Sequence, residues 1–104
     1  MLSLDTFMNV ILSADADAKK YKHDETGNYT TWTPKQRVTL WSDGEIEDEY
    51  WPVEVERFTR LDPDPIVAAI ETKLNEAGIA FAYQVDYDRD TEYLQHTFTC
   101  IVRK

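Results

Sequence analysis

The chain holds 11 Lys and Arg against 20 Asp and Glu, one cysteine, three glycines, and no apolar run longer than five residues. Each shortage excludes something. A lone Cys100 allows no internal disulfide, which fits a reducing cytosol. It also leaves any thiolate zinc site short of ligands, because zinc wants four. Three glycines, at Gly27, Gly44 and Gly78, make no phosphate-cradling loop. An apolar run of five, such as Ile79 to Tyr83, is far too short to span a bilayer. The stretch Phe7 to Leu12 followed by Ala14-Asp15-Ala16 imitates a signal peptide. No Lys or Arg precedes Lys19, Asp5 sits where positive charge belongs, and Asn9 interrupts the apolar run, so the segment reads as mature structure.

The shortage of cations leaves a net charge of −9 and a pI near 4.5. Such a chain repels nucleic acid and anionic membrane, and it attracts basic partners. At 104 residues it is expected to form one domain over residues 1–104. With 42% apolar residues it should fold around one core.

The pattern along the chain gives the elements. Leu4, Phe7, Met8, Ile11 and Leu12 share one helix face, with Ser3 as N-cap and Asp5 at the positive end of the dipole. Asp15 and Lys19 would pair if that helix ran on. Lys20 to Asn28 is polar and reads as a loop. Strand character starts at Tyr29, and Pro34 marks an edge or a break. Asp43-Gly44 is a hairpin signal. On the return strand Trp51, Val53 and Val55 alternate with Glu54 and Glu56. Asp64-Pro65 starts a second helix with its stripe at Ile66, Ile70, Leu74 and Ala77, and Gly78 ends it. Phe81, Tyr83, Val85 and Tyr87 alternate along a third strand. Leu94, His96, Phe98, Cys100 and Val102 share one face of a fourth. The expectation is an α+β fold in the order α-β-β-α-β-β, a four-stranded antiparallel sheet with two helices packed on it.

Chemistry is scarce in this pattern. His96 and Cys100 stand four residues apart on a strand, roughly 13 Å, too far for a base to activate a thiol. His23 lies in the polar loop. No residue set suggests catalysis, a cofactor or a metal, so the chain is expected not to be an enzyme. The acids are the outstanding feature. Five of the seven residues from Asp43 to Glu49 are carboxylates, flanked by aromatics. A tight turn at Asp43-Gly44 would set Leu40 opposite Glu47 and Val38 opposite Glu49. Good core pairs require the acids to bulge out with Trp41 facing Trp51. Either a bulge or wide loop sits here, or the tip projects as an arm. In both cases the five carboxylates are expected to be solvated or partner-facing. The candidate interaction residues are Trp41, Asp43, Glu45, Glu47, Asp48, Glu49, Tyr50 and Trp51, the aromatics serving as anchors.

The runs YTTWTPKQRVTLWSDGE, VEVERFTRLDPDPIVAAIETKLNEAGIAF and YQVDYDRDTEYLQHTFTC carry a resemblance that covers roughly residues 29 to 102. They resemble small tail proteins of bacteriophages and prophages of Gram-positive hosts. These are similar in plan to the tail terminator (tail completion, head–tail joining) subunits of long-tailed phages. The resemblance implies a structural protein that forms a ring, typically a hexamer, capping the tail tube and meeting the head connector. It would assemble in the host cytoplasm and reside in the virion tail. Six copies of a −9 chain would carry about −54, and a lumen lined with carboxylates would let DNA pass without sticking. The alternative is a small acidic inhibitor, either a DNA mimic or an immunity-type binder of a basic protein. A mimic needs charge spread along one elongated face, whereas these acids cluster at turns.

Overall fold

The structure, a computed structural model, describes residues 3–21 and 27–103. His23 lies outside the described residues. Two helices, α1 (Leu4–Ala14) and α2 (Pro65–Glu76), pack on one sheet. Its strands are β1 (Lys19–Lys20), β2 (Tyr29–Pro34), β3 (Val38–Ser42), β4 (Glu45–Thr59), β5 (Ala80–Tyr87) and β6 (Leu94–Arg103). The order is β1-β2-β4-β6-β5, with β3 also on β4.

The α+β class holds, but the sheet has six strands rather than four, and it is not wholly antiparallel. Two local causes account for the difference. Pro34 breaks the first long strand, and Lys35 re-enters by donating its N–H to the Pro52 carbonyl at 2.7 Å. β2 and β3 therefore lie end to end along the same side of β4, Pro34 opposite Val53 and Val38 opposite Tyr50. The second cause is β1, which pairs in parallel with β2, Lys19 opposite Thr31 and Lys20 opposite Trp32. It occupies the start of what reads as loop in the sequence.

Helix ends follow the local chemistry. Ser3 accepts the Thr6 N–H and caps α1. Asp64 accepts the Ile66 N–H at 2.9 Å, and Pro65 fills the first helical position of α2. At the far end Gly78 takes φ +69, and the Ile79 and Gly78 N–H groups close onto the Leu74 and Asn75 carbonyls. That double closure satisfies carbonyls the helix leaves open. α1 stops at Ala14, so Asp15 does not pair with Lys19; its carboxylate turns inward instead.

The core lies between helices and sheet. Phe7, Ile11, Ile70 and Leu74 from the helices meet Trp32, Val53, Val55, Phe98, Cys100 and Val102 from the strands, all buried. Phe7 meets Trp32 edge-on at 5.8 Å, and Phe81 meets Phe98 likewise at 5.5 Å. Each large apolar side chain so buried contributes about 1.5–3 kcal/mol. The reverse face of the sheet carries Thr33, Glu54, Glu56, Thr97 and Thr99. The alternation on β4 and β6 is thus as the sequence pattern suggests. On β5 it is only half realised. Phe81 packs against the core, but Tyr83, Val85 and Tyr87 are exposed, because the helices leave this outer strand uncovered.

Candidate interaction surface

The hairpin of β3 and the first residues of β4 extends past Tyr50, where β6 ends opposite Arg103. It contributes to an elongated body of 49 × 26 × 21 Å. The turn is tight. Ser42 pairs with Glu45, while Asp43 and Gly44 take φ +52 and +79. Two successive left-handed residues are what a two-residue hairpin turn of the primed type needs. The frame then shifts by one residue between Leu40 and Trp41, so Trp41 pairs with Ile46 but Leu40 pairs with Asp48. Glu47 is the extra residue of this bulge. A bulge and a projecting arm therefore occur together. Trp41 does not face Trp51: Trp51 pairs with Val102 and packs against the core.

This geometry divides the eight candidate residues into two groups. Trp41, Asp43, Glu45 and Glu47 are exposed at the tip, with Trp41 at 62%. Leu40 and Ile46 are exposed beside them. Asp43, Glu45 and Glu47 form no ion pair among the described residues. Asp48, Glu49, Tyr50 and Trp51 form the half-buried root of the arm. Arg103 donates to Asp48 at 2.9 Å and lies 5.8 Å from the Tyr50 ring centre. Arg37 pairs with Glu49 at 3.0 Å. The root acids are therefore engaged internally, unlike the expectation that all five carboxylates face solvent or a partner. The tip combines unpaired charge with exposed aromatic and aliphatic surface.

The second polar constellation escaped the sequence reading. Arg57 is buried on the helix-facing side of β4. Its Nε donates to Asp64 Oδ2 at 2.8 Å, and one terminal nitrogen reaches Thr30 Oγ1 at 3.3 Å and Asp15 Oδ2 at 3.5 Å. One guanidinium thus ties the end of α1, the cap of α2 and strands β2 and β4 together. Burial pushes the Asp64 carboxyl up, but the hydrogen bonds from Arg57, Ile66 and Thr59 and the Arg57 charge outweigh it. The net position is below the ordinary carboxylate value. The parity Val53-Val55-Arg57 places Arg57 on the core face, and that was the available signal.

His96 pairs with Arg57 across β4 and β6, and its Nδ1 meets the Tyr83 hydroxyl at 2.6 Å. Burial lowers its pKa against the opposing pull of Asp64 and Asp62. Its Nε2 is buried without a hydrogen-bond partner among the described residues. Cys100 is fully buried, and burial pushes its thiol up to about 12. A raised thiol beside a packed strand is a core group, not a nucleophile. Among the described residues no cluster of His, Cys, Asp and Glu is placed to hold a metal ion. No helix among them is long and apolar enough to cross a membrane. A pocket of about 430 Å³ opens over Arg57, between Asp15, Asp17 and Lys19, but the guanidinium there is already bound by two carboxylates.

No protein-family model matches the chain, and no curated protein does. The fold does match that of a chain in the virion of a native gene transfer agent (GTA) particle. The TM-score is 0.60 over 90% of this chain and 83% of that chain, at 9% sequence identity. At that identity the likeness is one of fold: nearly the whole of this α+β chain shares its architecture with a virion component.

Proposed function

We propose that this chain is a non-catalytic structural subunit of a phage or phage-like particle. Within that class we assign it the role of a tail terminator, a ring subunit that caps the tail tube and joins it to the head connector. The observation that carries the reading is the fold shared with a gene transfer agent virion chain along most of both chains. The projecting arm supports it, because exposed Leu40, Trp41 and Ile46 at a hairpin tip suit a contact with a neighbour. The net charge of −9 supports it too, since DNA must pass a ring without adhering. The subunit would work in the host cytoplasm during assembly and then in the virion tail.

The test is solution mass by light scattering after size exclusion, at low and high salt and over a range of concentrations. A species near six times 12.2 kDa that grows with salt is the expected result. Salt matters because like-charged subunits repel until their charge is screened. A strict monomer throughout would remove autonomous ring formation.

A further inference from the structure

Two edge strands of the sheet, β5 and β3, carry almost no charge, whereas the third, β1, consists of two lysines. On one side the outer strand is β5, paired with β6 in unbroken register from Ala80 opposite Ile101 to Tyr87 opposite Leu94. On the other side β1 covers part of β2, while β3 has no strand beyond it among the described residues. β3 holds no charged residue and β5 holds one, Asp86, on a chain of net −9. Along these two strands like-charged copies meet little opposing side-chain charge. β5 also lacks the devices that normally protect an edge strand, namely lysine, proline, a bulge or, among the described residues, a strand beyond it. Its Tyr83, Val85 and Tyr87 are 48%, 43% and 57% exposed.

The strand directions fit the two edges to each other. β3 runs antiparallel to β4, β4 to β6, and β6 to β5. Within one chain β3 and β5 therefore point in opposite directions. A rotation about an axis along the strands preserves those directions. It sets β3 of one copy antiparallel to β5 of the next, with the helices of both copies on the same side. The faces agree as well. Val38 pairs with Tyr50, on the reverse face from Trp51, so Leu40 lies on that reverse face and Trp41 on the helix side. Tyr83 and Val85 pair with Phe98 and His96, which are also on the helix side.

We propose that β3 of one copy adds to β5 of a second copy as an antiparallel strand, seating Trp41 among Tyr83, Val85 and Tyr87. The inference rests on the reading of this chain as a self-assembling subunit and names the contact that assembly would use. The two surfaces lie on opposite edges of one sheet, so the contact is head to tail, and its repetition closes a ring or extends a filament. β3 sits past the end of β6 whereas β5 runs beside it. Joined copies are therefore staggered along the strands, so a ring closes only with the strands tilted to its axis, as in a closed sheet, and otherwise a filament grows.

Cysteine cross-linking tests it directly, because the native Cys100 is fully buried with its thiol pushed up to about 12 and does not compete. Thr39→Cys marks the helix side of β3. Tyr83→Cys, Val85→Cys and Tyr87→Cys scan β5 on the same side. Under mild oxidation, mixing Thr39→Cys with these variants should give a mixed disulfide dimer for at least one of the three. Each variant alone should give none. In parallel, Val85→Lys should abolish oligomers while leaving the far-ultraviolet circular dichroism unchanged. An oligomer that forms without any β3–β5 disulfide overturns the proposed contact and leaves self-assembly standing. Disulfides between β5 variants alone overturn the head-to-tail arrangement. A monomer at every salt and concentration overturns the contact together with autonomous assembly.

Discussion

Replacing Arg57 by leucine should cost more stability than any surface substitution in this chain. The Arg57 side chain is 8% exposed, and its partners Asp64 and Asp15 are 0% and 10% exposed. At an effective dielectric constant near 20, contacts of 2.8 and 3.5 Å carry gross attractions of about 6 and 5 kcal/mol. Desolvation of the three groups offsets most of this in the intact protein. Leucine removes the attraction but leaves both carboxylates buried, and breaking such a pair costs about 3–5 kcal/mol. A domain of this size has about 5–15 kcal/mol in total, and each kcal/mol shifts the melting point by about 4–8 °C. The variant should therefore melt at least about 12 °C lower, and urea unfolding should give the same loss of free energy. Asp64→Asn and Asp15→Asn separate the partners. Coupling to Arg57 should be larger for Asp64, which is closer and fully buried. Arg57→Leu combined with both asparagines should recover much of the loss, since no buried charge then remains. A loss below about 1 kcal/mol in Arg57→Leu, or no recovery in the triple variant, would refute the reasoning.

Three further outcomes follow from the same geometry. Stability should fall on acidification in two stages. His96 has its pKa lowered by burial, so as pH drops through about 6.5 the unfolded chain takes up a proton that the folded chain refuses. Asp64 is held below 3.8, so its contribution is full above that value and is lost as pH falls through the folded value. Melting temperature against pH should show both slopes, and His96→Gln should remove the first; a slope near pH 6.5 that survives would exclude His96 as its source. Gly44→Ala forces a side chain into φ +79 at the hairpin turn, a cost of about 1–2 kcal/mol. The arm stands outside the core, so amide exchange over residues 38–49 should accelerate about 5–30-fold while the core amides stay unchanged. Equal acceleration in the core would show that the arm is integral to the fold. Reversing Asp43, Glu45 and Glu47 to lysine should leave the melting temperature unchanged, because none has an ion-pair partner among the described residues. The same change should shift the salt dependence of any oligomer, as read by light scattering.

Much of the fold was legible where one residue dictates its own backbone. Asp64-Pro65 started α2, Gly78 ended it, and Asp43-Gly44 made the turn, because capping and left-handed geometry are local requirements. The faces of β4 and β6 were legible from period-two alternation. What escaped depended on tertiary partners. Two lysines form β1 only because Thr31 and Trp32 lie beside them, and neither residue signals a strand. The Pro34 break and the hairpin after it were visible, but not that the break would divide that arm into two strands, β2 and β3, on one side of β4. Arg57 stood in an apolar register, yet Asp15 lies 42 residues away in sequence. The alternation on β5 gave the right face and the wrong burial, since hydrophobicity does not say where the helices stop. The candidate acids fall along one hairpin whose turn the sequence signalled, but only long-range partners, Arg103 and Arg37, divided root from tip.

That division bears on how an acidic subunit could assemble at all. Neighbouring strands lie about 4.8 Å apart, well inside the Debye length of about 8 Å at physiological ionic strength. Charges on two pairing edges would therefore face each other unscreened. On the proposed contact the edges avoid this cost: Val38–Ser42 is uncharged, and the single acid of β5, Asp86, lies on the reverse face from Trp41. The unpaired acids sit just beyond, at Asp43, Glu45 and Glu47. Being solvent-exposed, they would repel a neighbour during approach, and salt would screen that repulsion. An arm that is apolar along its edge and acidic at its tip would resist pairing at low salt and permit it at physiological salt. It would also disfavour random edge-to-edge aggregation, because charge beside an edge strand opposes indiscriminate pairing. Neutralising the tip should thus increase assembly at low salt and reduce its fidelity, visible as mixed sizes in place of one.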